Sequence, residues 1–330
     1  MRRAKITGVG HAVPDRVVTN GDLEKMMDTS NEWIVGRTGI EERHWVQPGE
    51  GTSDLALRAA QGAIEQAGIS AAEIDLVVVG SLTSDYFFPG VGNQLQNLLG
   101  LRTVPSFDIK AACSAFIYAL SIGDQYIKSG QAETVLVVGA EVQSTALDIS
   151  TRGRDMSVLF GDGAGAVILQ PSTDGTGILS THLHSEGRYL KELWCEAPAS
   201  RFNPRLSPEM LEEGRHYPKM NGREVFRHAV TRFPEVIREA LEANRLSLDE
   251  IALIIPHQAN LRISQMVAKK LGLNMDRVFS NIHKYGNTTG ASIPIALSEA
   301  LAENKIHSGD NIILAAFGSG FTWASAAIRW

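Results

Sequence analysis

The stretches AIEQAGISAAEIDLVVVG (residues 63–80) and ALEANRLSLDEIALIIPH (residues 240–257) share one pattern: a helix end, a short polar turn and a buried strand. Six of their eighteen aligned pairs are identical. Two further pairs follow in the same order: VPSFDIKAAC (104–113) with VFSNIHKYGN (278–287), and SGQAETVLVVGA from Ser129 with SGDNIILAAFG from Ser308. Three ordered matches predict a duplicated α/β unit, with an N-terminal half at 1–170 and a C-terminal half at 171–330.

Short apolar runs alternate with longer amphipathic stretches along both halves. The runs predict buried strands at Leu76–Val79, Val135–Val138, Ala166–Leu169, Leu253–Ile255 and Ile312–Ala316. The amphipathic stretches predict helices at Leu55–Gln66, Ala115–Lys128, Arg227–Ala243, Leu261–Leu271 and Ile293–Ala302. This alternation is typical of an α/β fold in which helices cover both faces of a sheet.

The overall composition is that of a globular protein in a reducing compartment. The 330 residues are 44% hydrophobic and 21% charged, and the net charge of −6 argues against a protein that coats nucleic acid. Two cysteines, Cys113 and Cys195, do not make a disulfide framework. The sequence has neither a secretory h-region after its first arginines nor an apolar run of about 20 residues. We therefore expect a cytoplasmic protein that does not bind membranes or nucleic acid.

Cys113 is the first candidate for chemistry. It follows the strand-like Phe107–Ile109 and precedes an apolar helix, so we expect the helix N-terminus to lower its thiol pKa and favour the thiolate. The alternative is a small buried hydrophobic residue, which is the more common role for a lone cysteine. In the repeat alignment Cys113 falls on Asn287, which predicts that the two loops meet.

Two other polar residues lie where ligands of α/β sheets bind. His257 follows a buried strand and can exchange a proton near neutral pH, whereas Asn287, in a Gly- and Thr-rich turn, can donate to an oxyanion. The alternatives are an ordinary loop histidine and a turn asparagine. In FGSGFTW (317–323), glycines allow backbone N–H groups to approach a ligand closely.

Other motifs carry little chemistry. GVGH (8–11) and FGDGAGA (160–166) fit no dinucleotide or phosphate loop, and we interpret both as turns. His182 and His184 would share one face of a strand, but no further cluster of metal-ligating residues completes a site. We therefore expect no metal.

At six ordered motifs the sequence resembles the β-ketoacyl-acyl carrier protein synthase III family of thiolase-fold condensing enzymes: NEWIVGRTGIEERH, AACSAF, LFGDGAGA, PHQANLRI, KYGNTTGASIP and FGSGFTW. The resemblance covers nearly the whole chain and implies a layered αβαβα fold. It also implies an acyltransferase that condenses an acyl-CoA primer with malonyl-acyl carrier protein and initiates fatty acid or related acyl-chain synthesis. Cys113 would be the nucleophile, and His257 with Asn287 would promote decarboxylation and condensation. No cofactor is implied, since acyl-CoA is a substrate.

The resemblance also implies binding residues and an assembly. The backbone N–H groups of Cys113 and Ser319 would form the oxyanion hole. CoA would contact Trp33, Arg37, Thr38 and Arg154. Carrier-protein docking would use Gln258, Ala259, Asn260, Leu261, Arg262, Arg227, Lys269 and Lys270. Phe317 and Phe88 would line the acyl pocket, the latter by reaching into a partner subunit, so a homodimer is expected.

The chain departs from the family pattern at Ala115 and Ser319, where the family has glycine, and in a long segment at 184–220 that we expect to reshape the acyl or CoA entrance. A surface excursion without a role is the alternative for that segment. Rival functions are a type III polyketide synthase or a long-chain head-to-head condensing enzyme, and a non-enzymatic subunit that shapes a partner's pocket. A hydroxymethylglutaryl-CoA synthase would need a glutamate near the cysteine, and the sequence offers no convincing candidate.

Overall fold

The computed structural model describes residues 2–330. Its strands are β1 (Arg3–Ala12), β2 (Val17–Thr19), β3 (Glu42–His44), β4 (Leu76–Gly80), β5 (Ser106–Ile109), β6 (Val135–Glu141), β7 (Gly163–Ser172), β8 (Gly177–Ser185), β9 (Leu193–Cys195), β10 (Pro218–Met220), β11 (Ile251–Pro256), β12 (Asn311–Gly318) and β13 (Thr322–Arg329). Its α-helices are α1 (Asn20–Glu24), α2 (Asn31–Thr38), α3 (Thr52–Ala67), α4 (Val91–Leu98), α5 (Ala115–Ser129), α6 (Arg154–Ser157), α7 (Pro208–Glu212), α8 (Gly222–Asn244), α9 (Leu261–Leu271), α10 (Ile282–Tyr285) and α11 (Ser292–Ala302).

Two mixed sheets repeat the same strand order. The first is β1-β7-β6-β4-β5 and the second is β8-β13-β12-β11. In each sheet the first two strand pairs in this order are antiparallel. The next pair is parallel: β6 with β4 in the first sheet and β12 with β11 in the second. A parallel bridge between Ile254 and Val278 stands where the first sheet has β5. The duplication predicted from the sequence is therefore present in the topology.

Five layers stack in the order helix, sheet, helix, sheet, helix. Helices α3 and α4 cover the outer face of the first sheet, and α8 with α9 covers the outer face of the second. Helices α5 and α11 lie between the sheets, and they are apolar on most sides because both sheets bury them. The layered thiolase-like fold expected from the resemblance is confirmed. The boundary between halves at residue 170 stays a prediction.

The predicted strands and helices all lie within observed elements, and α9 has the predicted bounds. The interpretation of GVGH as a turn was wrong, because residues 8–11 lie in β1, and Gly163–Ala166 of the second motif begins β7. Glycine is needed at residue 8 because helix α3 packs directly against the strand: a Cβ on Gly8 would lie 2.1 Å from the Ala63 carbonyl oxygen. Across residues 2–330 no helix combines the length and apolarity needed to cross a bilayer.

The N-termini of the two central helices have the same local structure. Each helix follows a 3₁₀ turn, Ala112–Ser114 before α5 and Thr289–Ala291 before α11. Ala112 and Thr289, the first residues of these turns, have positive φ values of 47° and 51°. The helix starts differ by 292 − 115 = 177 positions, so Cys113 is equivalent to Gly290. The alignment of Cys113 with Asn287 was therefore three residues out of register.

Candidate active site

One cavity of about 400 Å³ brings the three predicted catalytic side chains together. Cys113, His257 and Asn287 all line it, although they lie at the ends of different elements. Cys113 precedes α5, His257 follows β11, and Asn287 precedes the 3₁₀ turn of α11. The cavity opens past α2 and the starts of α8 and α9. The site therefore lies at strand ends and helix N-termini, as expected for an α/β fold.

Cys113 is buried against the glycine turn that begins at Gly318, the last residue of β12. A Cβ on Gly318 would lie 2.8 Å from both the Cys113 Cβ and its backbone nitrogen, so only glycine allows this approach. The backbone N–H groups of Cys113 and Ser319 face the thiol. Burial, with a smaller contribution from the Glu141 carboxyl, nevertheless raises the thiol pKa to about 12. The prediction of a lowered pKa was wrong, because burial outweighs the N–H groups that stabilise the thiolate.

His257 is held as a neutral hydrogen-bond donor. Its Nδ1 lies 2.6 Å from the Ser292 Oγ, which also accepts a hydrogen bond from the Gln258 N–H at 3.3 Å. The Ser292 hydroxyl can therefore donate a hydrogen bond to Nδ1, so the neutral ring carries its own proton on Nε2. Nε2 is buried without a hydrogen-bond partner. Burial lowers the His257 pKa to about 3, so the expected proton exchange near neutral pH was wrong.

Asn287 is oriented by the turn that follows it. Its Oδ1 accepts a hydrogen bond from the Thr289 N–H at 2.9 Å, which leaves the Nδ2 hydrogens for the cavity. Its backbone pairs with Leu159 and Gly161, which fixes the residue against the chain entering β7. The Thr289 hydroxyl in turn accepts a hydrogen bond from the buried Gln143 Nε2 at 2.9 Å. His257 and Asn287 thus present two N–H donors to one cavity.

Of the predicted CoA residues, three line the cavity and the fourth stacks beside it. Arg37 and Arg154 place their guanidinium carbons 4.5 and 4.8 Å from the centre of the Trp33 indole. Arg154, rather than the nearby Arg152, therefore contacts the tryptophan. The Thr38 hydroxyl donates to the Ile34 carbonyl at 2.7 Å, so this side chain lines the wall with its polar atom already used.

The predicted docking residues fall into two groups. Arg262, Lys269 and Lys270 are exposed on α9, whereas Ala259, Asn260 and Leu261 are partly buried at its start. Arg227 is exposed but pairs with Glu224 at 2.5 Å. The assignment of Gln258 to this surface was wrong: it is buried, donating to the Pro256 and Phe279 carbonyls and accepting from the Asn281 N–H.

The two predicted acyl-pocket residues lie apart within the chain. Phe317 is buried and lines the cavity. Phe88 is 80% exposed on the loop before α4 and does not contact the cavity of its own chain. Part of the 184–220 segment does reach the cavity, because Leu193 and Met220 pair across β9 and β10 and both line the wall. The Ser319 hydroxyl donates to the Leu193 carbonyl and ties this wall to the glycine turn.

Sequence reasoning missed the residues that hold the site in place. Ser292, Gln143 and Glu141 are all buried, and each contacts a predicted catalytic residue or the turn beside one. One signal was available for Glu141, since an acidic residue directly ends the apolar run Val135–Ala140 of a predicted buried strand. Nothing in the sequence marks Ser292 or Gln143, whose partners are 35 and 146 positions away.

His182 and His184 do share one face of β8, and both contact a carboxylate that the sequence did not connect to them. Glu239 of α8 lies 3.3 Å from the His182 Nδ1 and 2.6 Å from the His184 Nε2. Within residues 2–330 no group of three or more His, Cys, Asp or Glu side chains has metal-binding geometry. The three residues link β8 to the helix that covers it.

Comparison with known proteins gives consistent matches along the chain. Residues 107–187 match 3-oxoacyl-[acyl-carrier-protein] synthase III, and residues 241–330 match its C-terminal domain. The β-ketoacyl-[acyl-carrier-protein] synthase III of Roseiflexus castenholzii is 48% identical, covering 99% of this chain and 98% of the relative. That of Salmonella arizonae is 47% identical, with 99% of both chains covered. The crystal structure of the Aquifex aeolicus synthase superposes with a TM-score of 0.91 at 44% identity, over 99% of this chain and 100% of that one.

Proposed function

The chain belongs to the 3-oxoacyl-[acyl-carrier-protein] synthase III family, and from this we propose that it condenses an acyl-CoA primer with malonyl-acyl carrier protein to start fatty acid synthesis. The observation that carries the proposal is the convergence of Cys113, His257 and Asn287 in one cavity beside a preorganised N–H pair. This arrangement supports the condensing enzyme over a subunit that only shapes a partner's pocket, because such a subunit has no need of a buried nucleophile with two N–H donors.

In the first half-reaction, the Cys113 sulfur attacks the thioester carbon of acyl-CoA. The developing oxyanion accepts hydrogen bonds from the Cys113 and Ser319 N–H groups, which are already fixed by the close approach of Gly318. The carbon–sulfur bond to CoA then breaks, and the cysteine proton is transferred to the departing CoA sulfur. The products are acyl-Cys113 and CoA-SH. Proton transfer to the substrate sulfur matches a thiol that burial keeps protonated.

In the second half-reaction, malonyl-acyl carrier protein places its thioester carbonyl against the two side-chain donors. Neutral His257 donates from Nε2 and Asn287 donates from Nδ2, so both stabilise the enolate oxygen that forms as CO2 leaves. The enolate carbon attacks the acyl group, the bond from the carbonyl carbon to the Cys113 sulfur breaks, and the released thiolate takes up a proton from solvent water. The product is β-ketoacyl-acyl carrier protein. No electron is transferred to an external acceptor, so the proposed reaction needs no redox cofactor, and the two N–H donors supply the enolate stabilisation that a metal ion could otherwise give.

The cavity mouth offers separate contacts for the two substrates. The indole of Trp33 between Arg37 and Arg154 supplies an aromatic and cationic surface for the CoA nucleotide. Exposed Arg262, Lys269 and Lys270 on α9 supply positive charge on a protein whose net charge is −6. Such a local patch favours an acidic carrier protein.

We also propose that the protein is a cytoplasmic homodimer. The loop before α4 exposes Tyr86, Phe87 and Phe88 by 64%, 69% and 80%, a contiguous aromatic surface that a second copy would bury. Phe88 would then contribute to the acyl pocket of the partner subunit. Two free cysteines, one of them nucleophilic, suit a reducing compartment.

Mass spectrometry of the intact protein tests the function directly. Incubation with a panel of acyl-CoAs should add one acyl mass to the wild type, and addition of malonyl-acyl carrier protein should remove it as β-ketoacyl product. Cys113→Ala should take up no acyl group, whereas Cys195→Ala should behave as wild type. Acylation of Cys113→Ala at another residue, or acyl-enzyme that malonyl-acyl carrier protein leaves unchanged, would contradict the proposal.

A further inference from the structure

Glu141 is a buried carboxyl close to the nucleophile that the proposed mechanism does not use. It is the last residue of β6 and has no solvent exposure. It lies outside the lining of the proposed substrate cavity. The charge of its carboxylate would nevertheless act on Cys113, whose thiol pKa it raises.

Hydrogen bonds place the Glu141 carboxyl between two turns. The Leu82 N–H donates to both carboxyl oxygens at 3.2 Å, and the Thr83 hydroxyl lies 2.6 Å from Oε2. The Gly290 N–H also points to it. Gly290 is the equivalent of Cys113 in the second half and lies in the strained 3₁₀ turn that follows Asn287. Glu141 therefore joins the turn after β4 to the turn that carries a catalytic residue.

The end of β6 packs closely on the Gly290 turn, and the Glu141 carboxyl lies in van der Waals contact with it. A Cβ on Gly139 would lie 2.4 Å from the Gly290 carbonyl oxygen, and one on Gly290 would lie 3.4 Å from the Glu141 Oε1. The end of β6 thus packs directly on the backbone of the turn. Because the turn is held at Thr289 with a φ of 51°, it needs such support to keep its conformation.

Among residues 2–330, no cationic side chain pairs with the Glu141 carboxyl. Among the described residues, none of the ion pairs includes Glu141, and its hydrogen-bond partners are all neutral. The turns at 81–83 and 288–291 contain no ionisable side chain, so the Cys113 thiol is the titratable group that these elements bring to face it. Nearby Asp162 accepts from Gln143 and Ser144, and Asp85 accepts from Ser53. A buried carboxyl without a cation is more stable in its neutral form.

The Thr83 hydroxyl can accommodate that neutral form. It accepts a hydrogen bond from the Val142 N–H at 2.9 Å and lies 3.5 Å from the Thr52 hydroxyl. A protonated Glu141 can therefore donate to Thr83 while its other oxygen continues to accept from Leu82 and Gly290. Burial also raises the Glu141 pKa, to about 8, which agrees with this geometry.

We propose that Glu141 is a positioning residue that acts as a neutral acid. Its hydrogen bonds join the 81–83 turn to the Gly290 turn, and because it is uncharged near neutral pH it places no negative charge beside Cys113 when the thiolate forms. The inference rests on the proposed role of Cys113 as the nucleophile. Above the pH at which Glu141 ionises, its charge makes the Cys113 thiolate harder to form.

Glu141→Gln separates the two parts of the proposal, because its amide keeps the acceptor for Leu82 and Gly290 and can donate to Thr83, but it cannot ionise. In a Cys195→Ala background, which removes the other free thiol, the rate of Cys113 alkylation by iodoacetamide, followed by intact mass between pH 6 and 10, reports thiol ionisation without any substrate. The alkylation profile of Glu141→Gln should lie at lower pH than that of the wild type, with the difference growing above about pH 8. Glu65→Gln, the same change at an exposed carboxyl of α3, should leave the profile in place.

Condensation activity tests the positioning role separately. Glu141→Gln should retain condensation at pH 7 within about threefold of the wild type, whereas Glu141→Leu, which leaves buried N–H donors without an acceptor, should lose on the order of a hundredfold in condensation. Thr83→Ser should resemble the wild type if the hydroxyl is what matters.

Superimposable alkylation profiles for wild type and Glu141→Gln would overturn the electrostatic part. A folded Glu141→Gln that is as inactive as Glu141→Leu would overturn the neutral-acid part. Failure of all variants, including wild type, to condense would instead count against the proposed function, because alkylation is independent of it.

Discussion

At the scale of single residues, burial decides the protonation states of the site. It raises the pKa of the Cys113 thiol to about 12 and lowers that of His257 to about 3. Both groups are therefore neutral at physiological pH, and the chemistry depends on hydrogen-bond donors that are already in place. In the proposed mechanism His257 therefore stabilises charge and does not exchange protons, which differs from the role that its ordinary pKa suggests.

A substitution at Asn287 should separate acyl transfer to Cys113 from decarboxylation, which uses the side-chain N–H donors of His257 and Asn287. Asn287→Ala removes one of the two side-chain N–H donors but leaves the Cys113 and Ser319 N–H groups intact. Acyl transfer from acyl-CoA to Cys113 should continue, whereas decarboxylation of malonyl-acyl carrier protein should fall by about 10²- to 10³-fold. Burst-phase CoA release and CO2 release measure the two steps. An equal loss in both steps would contradict separate roles.

The neutral His257 also predicts a pH dependence of stability. Its pKa in the folded protein lies below its unfolded value of 6.5, so the unfolded chain binds the proton more readily. The stabilisation from the neutral imidazole is fully present above pH 6.5 and is lost progressively as the pH falls toward 3. At pH 5 the free energy of unfolding should already have dropped by about 2 kcal/mol. Urea unfolding at pH 7 and pH 5 should show a smaller difference for His257→Gln than for wild type. His307→Gln, at an exposed histidine, is the control, and an unchanged difference for His257→Gln would argue against a buried neutral imidazole.

At the scale of elements, the strands and helices that depend on a local apolar pattern could be predicted from the sequence. The strands at β4, β6, β7, β11 and β12 and the helix α9 follow from apolar periodicity, and the strand and helix ends placed Cys113 and His257. The contact between Trp33 and Arg154 depends on chain segments 121 positions apart, and it came from the family resemblance. The error at Gln258 arose because a continuous motif was assigned to one surface, although the chain turns inward before the N-cap at Asn260.

The exposed end of α9 makes a prediction about the carrier protein. Lys269 and Lys270 lie in the last turn of the helix, outside the cavity lining, so they can attract an acidic partner without contacting CoA. The double change Lys269→Glu and Lys270→Glu should raise KM for malonyl-acyl carrier protein about tenfold at low salt and leave KM for acyl-CoA unchanged. The effect should shrink as salt rises.

Lys305→Glu, an exposed lysine after α11, reverses one charge at a distance from this surface and should change neither constant. Equal effects of the α9 and Lys305 changes would indicate a response to net charge alone. An unchanged KM for the carrier substrate in the α9 variant would remove Lys269 and Lys270 from the docking surface.

At the scale of the whole molecule, the first sheet has an open edge at β5. Strand β5 forms the end of the order β1-β7-β6-β4-β5, and its outer edge has no strand partner within residues 2–330. Its residues are all partly exposed, and the chain runs from it directly to Cys113. An open edge of this kind is normally covered, and pairing with a second copy across a twofold axis would cover it in both chains at once. The position of the nucleophile and the assembly would then depend on the same strand.

The exposed aromatic loop allows this assembly to be tested together with substrate choice. Phe88→Ser removes a side chain that is 80% exposed in one chain, so the fold of that chain should be unaffected. If Phe88 closes the partner's acyl pocket, the variant should shift from dimer toward monomer in sedimentation velocity, and any remaining dimer should accept longer acyl-CoAs than the wild type. Leu211→Ser, at an apolar residue that is 45% exposed on α7, is the matched control and should change neither property. A wild type that sediments as a monomer at micromolar concentration, or a Phe88→Ser dimer with an unchanged chain-length profile, would contradict the proposal that Phe88 closes the acyl pocket of a partner subunit.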